Sequence, residues 1–186
     1  LSTGDNITAQ HVIIATGARA RNIPGIVADG KSILTYREAM VPKTMPKSLL
    51  IIGSGAIGAE FASFYHDMGI EVALIEAMDN ILPIEDREIS AVVQKAFVKR
   101  GIRIVTGAKL RSLTSEGNQV TASLEGGGTD LVAERAILAV GIIGNTENLG
   151  LEESAVTVDR GHIVTDQWAA TGKAGIYAIG DVTGPP

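Results

Sequence analysis

An α/β fold built on a parallel sheet is what this sequence of 186 residues predicts, and three observations predict it. The apolar run Ser48–Ile52, SLLII, leads straight into Gly53-Ser54-Gly55-Ala56-Ile57-Gly58 and a helix-period pattern. A second strand over 71–76, EVALIE, and a second helix over 85–100 repeat the alternation. Beyond Gly101, short alternating segments joined by Gly-Asn and Gly-rich turns read as an antiparallel β-meander inserted in the parallel sheet.

Taken in order, 11–15 (HVIIA) is a short β-branched run before Thr16-Gly17, and reads as a buried strand. Residues 19–47 carry turn signals at Pro24-Gly25, Asp29-Gly30, Pro42 and Pro46, with room for a short helix over 35–40. In the helix expected over 56–68, Ile57, Phe61, Phe64 and Met68 share one face, which predicts their burial. Gly69 stands where a C-terminal cap is needed. The 85–100 helix is acidic at its start and basic at its end, which suits the helix dipole on a solvated face. The meander is expected over 102–105, 109–114, 119–124 and 129–133, and 136–140 (AILAV) as a further buried strand ending at Gly141. Near the end come 156–158, a turn at 159–161, 163–165 and the stretch GIYAIGD.

Composition excludes several function classes. Lys and Arg number 16 against 21 Asp and Glu, a net charge of -5, which argues against a nucleic-acid binder and against docking on an anionic membrane. No apolar run approaches the ~18 residues of a membrane span, and the polar start LSTGDNITAQ is no signal peptide. The absence of cysteine excludes a disulfide, a thiolate metal site and a cysteine nucleophile within this stretch. His11, His66 and His162 are isolated, with no metal-ligand spacing, and Trp168 is expected to pack.

Gly53-x-Gly55-x-x-Gly58 follows a strand and opens a helix, the context of a dinucleotide fingerprint, and makes the expected sheet Rossmann-like. Gly53 makes the tight turn, Gly55 lets backbone approach a pyrophosphate, and Gly58 lets helix pack on strand. The first-turn amides, from Ala56 and Ile57 on, then face the phosphates. Ser54 reads as a small loop residue over phosphate. Glu76, 21 residues after Gly55, ends the second strand where a carboxylate accepts hydrogen bonds from an adenosine ribose. It also repels a 2′-phosphate, and no Arg or His follows over 77–84, so NAD is favoured over NADP. Glu60 lies about 60° from Ile57 at 100° per residue, at the border of the apolar stripe. Two readings stand for it: a rim residue in water, or a carboxylate facing the ligand cleft.

Three further pieces, Ala15-Thr16-Gly17, Ala139-Val140-Gly141 and Thr171-x-x-x-Gly175-Ile176-Tyr177-Ala178-Ile179-Gly180-Asp181, flank the central GxGxxGxE of Gly53 to Glu60. In this order they resemble the flavoprotein pyridine nucleotide–disulfide oxidoreductases. The stretches IPGI, MPKSLLIIGSGAIGAEFASFY and ILPIEDREIS, with the ending GIYAIGDVTGPP, look most like the dihydrolipoamide dehydrogenase branch.

The resemblance implies an NAD-binding domain over 34–161, with 1–33 and 162–186 as flanking pieces of an FAD-binding domain. By position it assigns NAD to Gly53, Gly55, Gly58 and Glu76, turns Glu60 toward the nicotinamide end, and puts Leu110 and Gly141 along the adenine and cleft side. Thr16, Gly17 and Asp181 resemble flavin-binding residues. The FAD fingerprint and redox cysteine pair are then expected upstream of Leu1, and a dimerisation domain with a His-Glu pair after Pro186. The implied activity is hydride transfer between flavin and NAD during reoxidation of dihydrolipoamide. Implied partners are NAD(H) and the dihydrolipoamide-bearing acyltransferase of a 2-oxo acid dehydrogenase complex, with a homodimeric parent in the bacterial cytoplasm or mitochondrial matrix. The chain alone is expected to be inactive. Alternatives are a sibling reductase of the mercuric or glutathione reductase type, or a non-catalytic nucleotide-binding module.

Overall fold

The computed structural model describes residues 3–184; Leu1, Ser2 and the Pro185-Pro186 that closes the GIYAIGDVTGPP ending lie outside the described residues. The strands β1 (Val12–Ile14) and β2 (Ala18–Ala20) come first. An alternating series follows: β3 (Ile33–Leu34), α1 (Tyr36–Met40), β4 (Ser48–Ile52), α2 (Ala56–Asp67), β5 (Glu71–Ile75), α3 (Arg87–Arg100) and β6 (Arg103–Val105). Then come β7 (Leu110–Glu116), β8 (Gln119–Leu124), β9 (Leu131–Ala133) and β10 (Arg135–Leu138). The last strands are β11 (Ile142–Gly144), β12 (Val158–Asp159), β13 (His162–Ile163) and β14 (Ile176–Ala178).

Two compact units result, one from Ala20 to Gly141, the other from the residues up to Arg19 together with those from Ile142 on. These limits differ from the 34 and 161 expected for the central domain. Ile26 and Ile33 are buried in a core of the first unit, which draws in the segment before β3. Leu151 and Val156 are buried with Ile163, Ala178 and Val182, which places the segment after β11 in the second.

The first unit is organised by a five-stranded sheet in the order β3-β10-β4-β5-β6, parallel throughout. Strand β4 is buried on both faces, as its unbroken apolar sequence requires. Leu49 and Ile51 join the core formed with Ala59, Ala62, Tyr65 and Phe97, so α1, α2 and α3 cover one face. Leu50 and Ile52 pack in the opposite core with Val120, Ala122, Leu131 and Ala133, so the antiparallel sheet β7-β8-β9 covers the other. The expected α/β class with an inserted meander holds. Its first expected segment does not belong to it: β6 is the parallel edge strand beside β5. The strand β3 carries no recognisable run of its own and is defined by its pairing with β10.

Helix α2 turns a different face inward from the one its large apolar residues predict. Gly58, Ala59, Ala62 and Tyr65 are buried, whereas Phe64 and Met68 are more than half exposed and Ile57 and Phe61 lie at the border. Small side chains bring the helix close to the sheet, and volume at the contact outweighs the count of large apolar residues. Both long helices stop by the same hydrogen bonds. Gly69 N–H donates to His66 O and Ile70 N–H to Tyr65 O; Gly101 N–H donates to Val98 O and Ile102 N–H to Phe97 O. Each closing glycine takes a positive φ, the backbone a side chain resists. Asp86 caps α3 through the amides of Glu88 and Ile89, and Thr35 with Glu38 forms a capping box on α1.

In the second unit β1 pairs with β14 in parallel and β12 with β13 in antiparallel fashion, and β11 pairs with β2. The expected burial of 11–15 is not found: Val12 and Ile13 are 47% and 62% exposed, because among the described residues β1 has one strand beside it, β14, and it is Ile14 that packs against the core of Leu151, Ile163 and Ala178. Trp168, expected to pack, is 73% exposed. It stands on a turn in which Asp166 accepts from the Trp168 and Ala170 amides, which fixes the backbone and leaves the indole outward. Among the described residues, no helix is long and apolar enough to cross a membrane.

Candidate dinucleotide site

In the first unit the chain runs from β4 through α2 to β5 on one side, while β10 flanks β4 on the other. The carboxyl end of β4 is therefore the point where strand order reverses, the place in open α/β sheets where a crevice for ligands forms. The ladder continues past the strand ends, with Gly53 N–H donating to Ile75 O at 2.8 Å and Ala139 N–H to Ile52 O at 2.7 Å. These bonds hold the Gly53 turn beside the 139–141 segment that follows β10.

The three fingerprint glycines meet different surroundings. Gly53 has φ +97, and a Cβ there would lie 2.5 Å from the Ala139 carbonyl oxygen. A Cβ at Gly58 would overlap the Gly53 carbonyl oxygen and sit 3.3 Å from the Ala139 Cβ. Both glycines are required by packing within the chain. Gly55 is the exception: nothing lies within 4 Å of where its Cβ would be. Gly55 also caps α2 without a side-chain hydrogen bond, and the first intrahelical bond runs from Ala59 N–H to Gly55 O. The amides of Ala56, Ile57 and Gly58 thus have no intrahelical acceptor, and they sit at the positive end of a 12-residue helix.

Glu76 follows β5 directly and is only 8% exposed. Its Oε2 accepts from Ser54 N–H at 2.8 Å and from Ser54 Oγ–H at 2.7 Å, while Oε1 accepts from Met78 N–H at 2.9 Å. Ser54, expected over the phosphate, is fully buried and turns its hydroxyl to this carboxylate. A buried carboxylate needs donors, and Ser54 supplies two of the three. No spacing rule reveals this contact, because it depends on the register that sets the end of β4 beside the end of β5.

Gly53, Ser54, Gly55, Ala56, Ile57, Gly58 and Glu76 therefore gather at neighbouring strand ends, and Gly141 follows β10 on the other side of β4, with φ +100. Glu60 is exposed, on the side of α2 away from the buried Ala59 and Ala62, a position that suits either of its two readings. Leu110 begins the meander and packs, half-buried, against the core beneath it, two residues after Ala108, whose N–H donates to Glu76 O. Thr16, Gly17 and Asp181 belong to the second unit. There the Thr16 hydroxyl donates to Asn145 O at 2.7 Å, Gly17 O accepts from Asn145 N–H, and Asp181 is exposed in a short 3-10 turn. In the same unit the Arg19 guanidinium pairs with Glu147 and holds its carboxyl below the usual range.

Basic residues stand near Glu76 in space, though none occurs over 77–84. Arg87, Ala91, Gln94 and Lys95, on one face of α3, line a cavity of about 450 Å³ together with Met78, Asp79 and Asn80 of the loop after Glu76. The helical spacing of Arg87, Ala91 and Lys95 was the available signal. The His11 ring meets Tyr177 at a tilt of 47° with centroids 6.0 Å apart, His162 Nδ1 lies 3.3 Å from Asp181 O, and no metal-binding group of acidic or histidine residues occurs among the described residues.

Comparison with known proteins places these features in a family. The model of the pyridine nucleotide-disulphide oxidoreductases matches residues 1–186. The dihydrolipoyl dehydrogenase of Rhizobium etli is 53% identical over 182 residues, 96% of this chain and 38% of that protein. An NAD(P)H dehydrogenase (quinone) of Mycobacterium tuberculosis is 35% identical over 188 residues, 98% of this chain and 38% of its own length. Among solved structures, LpdA of M. tuberculosis superposes with a TM-score of 0.84 at 35% identity, over 94% of this chain and 38% of that one. The HOCl-induced flavoprotein disulfide reductase RclA of Escherichia coli gives 0.82 at 30% identity, over 95% and 40%. The chain thus spans about two fifths of the length of the relatives it matches. With the match running the length of the chain and the glycine turn, strand-end carboxylate and sheet order all in place, this chain belongs to the pyridine nucleotide-disulphide oxidoreductase family.

Proposed function

We propose that the unit from Ala20 to Gly141 binds NAD(H), and that the whole protein is a dihydrolipoamide dehydrogenase. The observation that carries the first reading is the pairing of an unfilled Gly55 with a buried, hydrogen-bonded Glu76 at adjoining strand ends. Space beside Gly55 admits a pyrophosphate, the α2 amides supply donors to it, and Glu76 accepts from the adenosine ribose. The second unit supplies pieces of an FAD site, with the exposed Asp181 carboxylate available to a ribityl or ribose hydroxyl.

When bound, NAD supplies hydride acceptance at its nicotinamide. This chain's residues contribute binding and orientation: the glycine turn fixes the phosphates, and Glu76 fixes the ribose. Electron exchange with dihydrolipoamide carried by an acyltransferase, through a homodimer, belongs to the whole protein and rests on the likeness to dihydrolipoyl dehydrogenases. A second reading, NADP(H), draws on Arg87 and Lys95 lining the cavity beside Met78.

Calorimetric titration of the chain with NAD⁺ and NADP⁺ separates the two. Tighter binding of NAD⁺, reversed in favour of NADP⁺ by Glu76→Arg, is the expected result. Tighter NADP⁺ binding that is lost in Arg87→Ala overturns the NAD assignment. Binding of neither nucleotide overturns both.

A further inference from the structure

We propose that Ser54 is a positioning residue that immobilises Glu76 and so sets which dinucleotide the site accepts, an inference that rests on the dinucleotide reading above. A glutamate at a strand end ordinarily swings about three side-chain torsions. Here it does not, because Ser54 grips Oε2 through both its amide and its hydroxyl while Met78 N–H holds Oε1. A carboxylate accepts at about four positions. Three are taken within the chain, two on Oε2 and one on Oε1, which leaves the second position of Oε1 for a ribose hydroxyl.

Ser54 is itself anchored. Its carbonyl accepts from Leu82 N–H at 2.9 Å, and Leu82, held at φ +49, accepts in turn from Ser90 Oγ–H at 3.0 Å. The loop after Glu76 is therefore tied to the fingerprint turn through the backbone of Ser54, and its side chain is left to the carboxylate alone. These backbone bonds survive loss of the hydroxyl.

The consequence is selectivity by rigidity. A fixed carboxylate presents its free acceptor position to the hydroxyls of NAD and cannot rotate away from the charge of a 2′-phosphate. Ser54→Ala removes one donor, and Glu76 gains freedom to turn. The affinity for NAD⁺ then falls roughly three- to tenfold, a fraction of the worth of the charge-assisted bond removed, because that bond holds Glu76 and does not itself reach the nucleotide. NADP⁺ affinity stays level or rises, because the repelling group can now yield. A general loosening of the fold lowers both affinities together, so the ratio of the two is the informative quantity.

The experiment is a titration of the wild-type chain, Ser54→Ala, Glu76→Ala and the double variant with NAD⁺ and NADP⁺. The expected result is a narrowed NAD⁺/NADP⁺ ratio in Ser54→Ala and no further narrowing when Ser54→Ala is added to Glu76→Ala. If the wild type binds NAD⁺ selectively but Ser54→Ala keeps the full ratio, the role of Ser54 is overturned and the site reading stands. Failure of the wild type to bind either nucleotide overturns the site reading itself. A wild-type measurement covers misfolding of the variant. In the wild-type chain an NMR scalar coupling across the hydrogen bond from the Ser54 amide to the Glu76 carboxylate should be observed, and its absence overturns the proposal.

Discussion

A single added methyl group at each fingerprint glycine should separate fold from function. At Gly58 the new Cβ overlaps the Gly53 carbonyl oxygen, which is backbone and cannot rotate aside. Overpacking of this kind costs about 1–3 kcal/mol, offset by up to about 1 kcal/mol because alanine suits a helix better than glycine. A net loss of about 1–2 kcal/mol lowers the melting temperature by roughly 3–10 °C for a unit of this size. At Gly55 the same methyl meets nothing within 4 Å, and φ -62 with ψ -176 is ordinary backbone for alanine. Stability should change by less than about 1 kcal/mol, the N-cap preference for glycine over alanine. The methyl nevertheless occupies the approach to the α2 amides. Loss of charge-assisted bonds to a pyrophosphate weakens NAD⁺ binding by about ten- to a hundredfold. Thermal melts and calorimetry of Gly55→Ala and Gly58→Ala are the assay. If Gly55→Ala melts as low as Gly58→Ala, or binds NAD⁺ like the wild type, the division of labour among the glycines is refuted.

Other outcomes follow from the cores and the charges. Tyr65→Phe removes the buried hydroxyl that donates to Ala39 O at 2.6 Å, and urea unfolding should show a loss of about 1–3 kcal/mol as that carbonyl is orphaned. Leu50→Ala should cost about 2–5 kcal/mol in the same assay, because the β7-β8-β9 sheet seals that face; a cost below about 1 kcal/mol would show the meander to be a loose flap. Acid should destabilise the chain in a defined window. Slight burial raises the Asp29 pKa, but amides of Lys31, Ile33 and Ser32 overcome it and hold the carboxyl below 3.8; the Thr35 hydroxyl holds Glu38 below 4.5. Folded values below unfolded ones give stability that is present above those ordinary values and lost as pH falls through the lowered ones. Melts from pH 7 to 2 should be flat above about 5 and fall below 4.5, with a shallower fall in Asp29→Asn/Glu38→Gln. Limited proteolysis should cut the second unit first, where Val12, Ile13 and Trp168 stand exposed, and leave a resistant core spanning 20–141.

The sequence by itself determined what is local in this protein. Apolar runs defined β4, β5 and β10, capping residues and glycines bounded α2 and α3, and Gly53-x-Gly55-x-x-Gly58 with Glu76 marked the candidate site. These features depend on neighbours a few residues away, so spacing suffices to read them. Only the tertiary structure decided which face of α2 is buried, because that depends on how closely a helix approaches a sheet, and Ala59 and Ala62 permit what Phe64 does not. It alone moved β6 into the parallel sheet and exposed β1, since edge and centre are properties of pairing. It alone set the Ser54 hydroxyl against Glu76, a contact across 22 residues that exists only because β4 and β5 lie side by side in register.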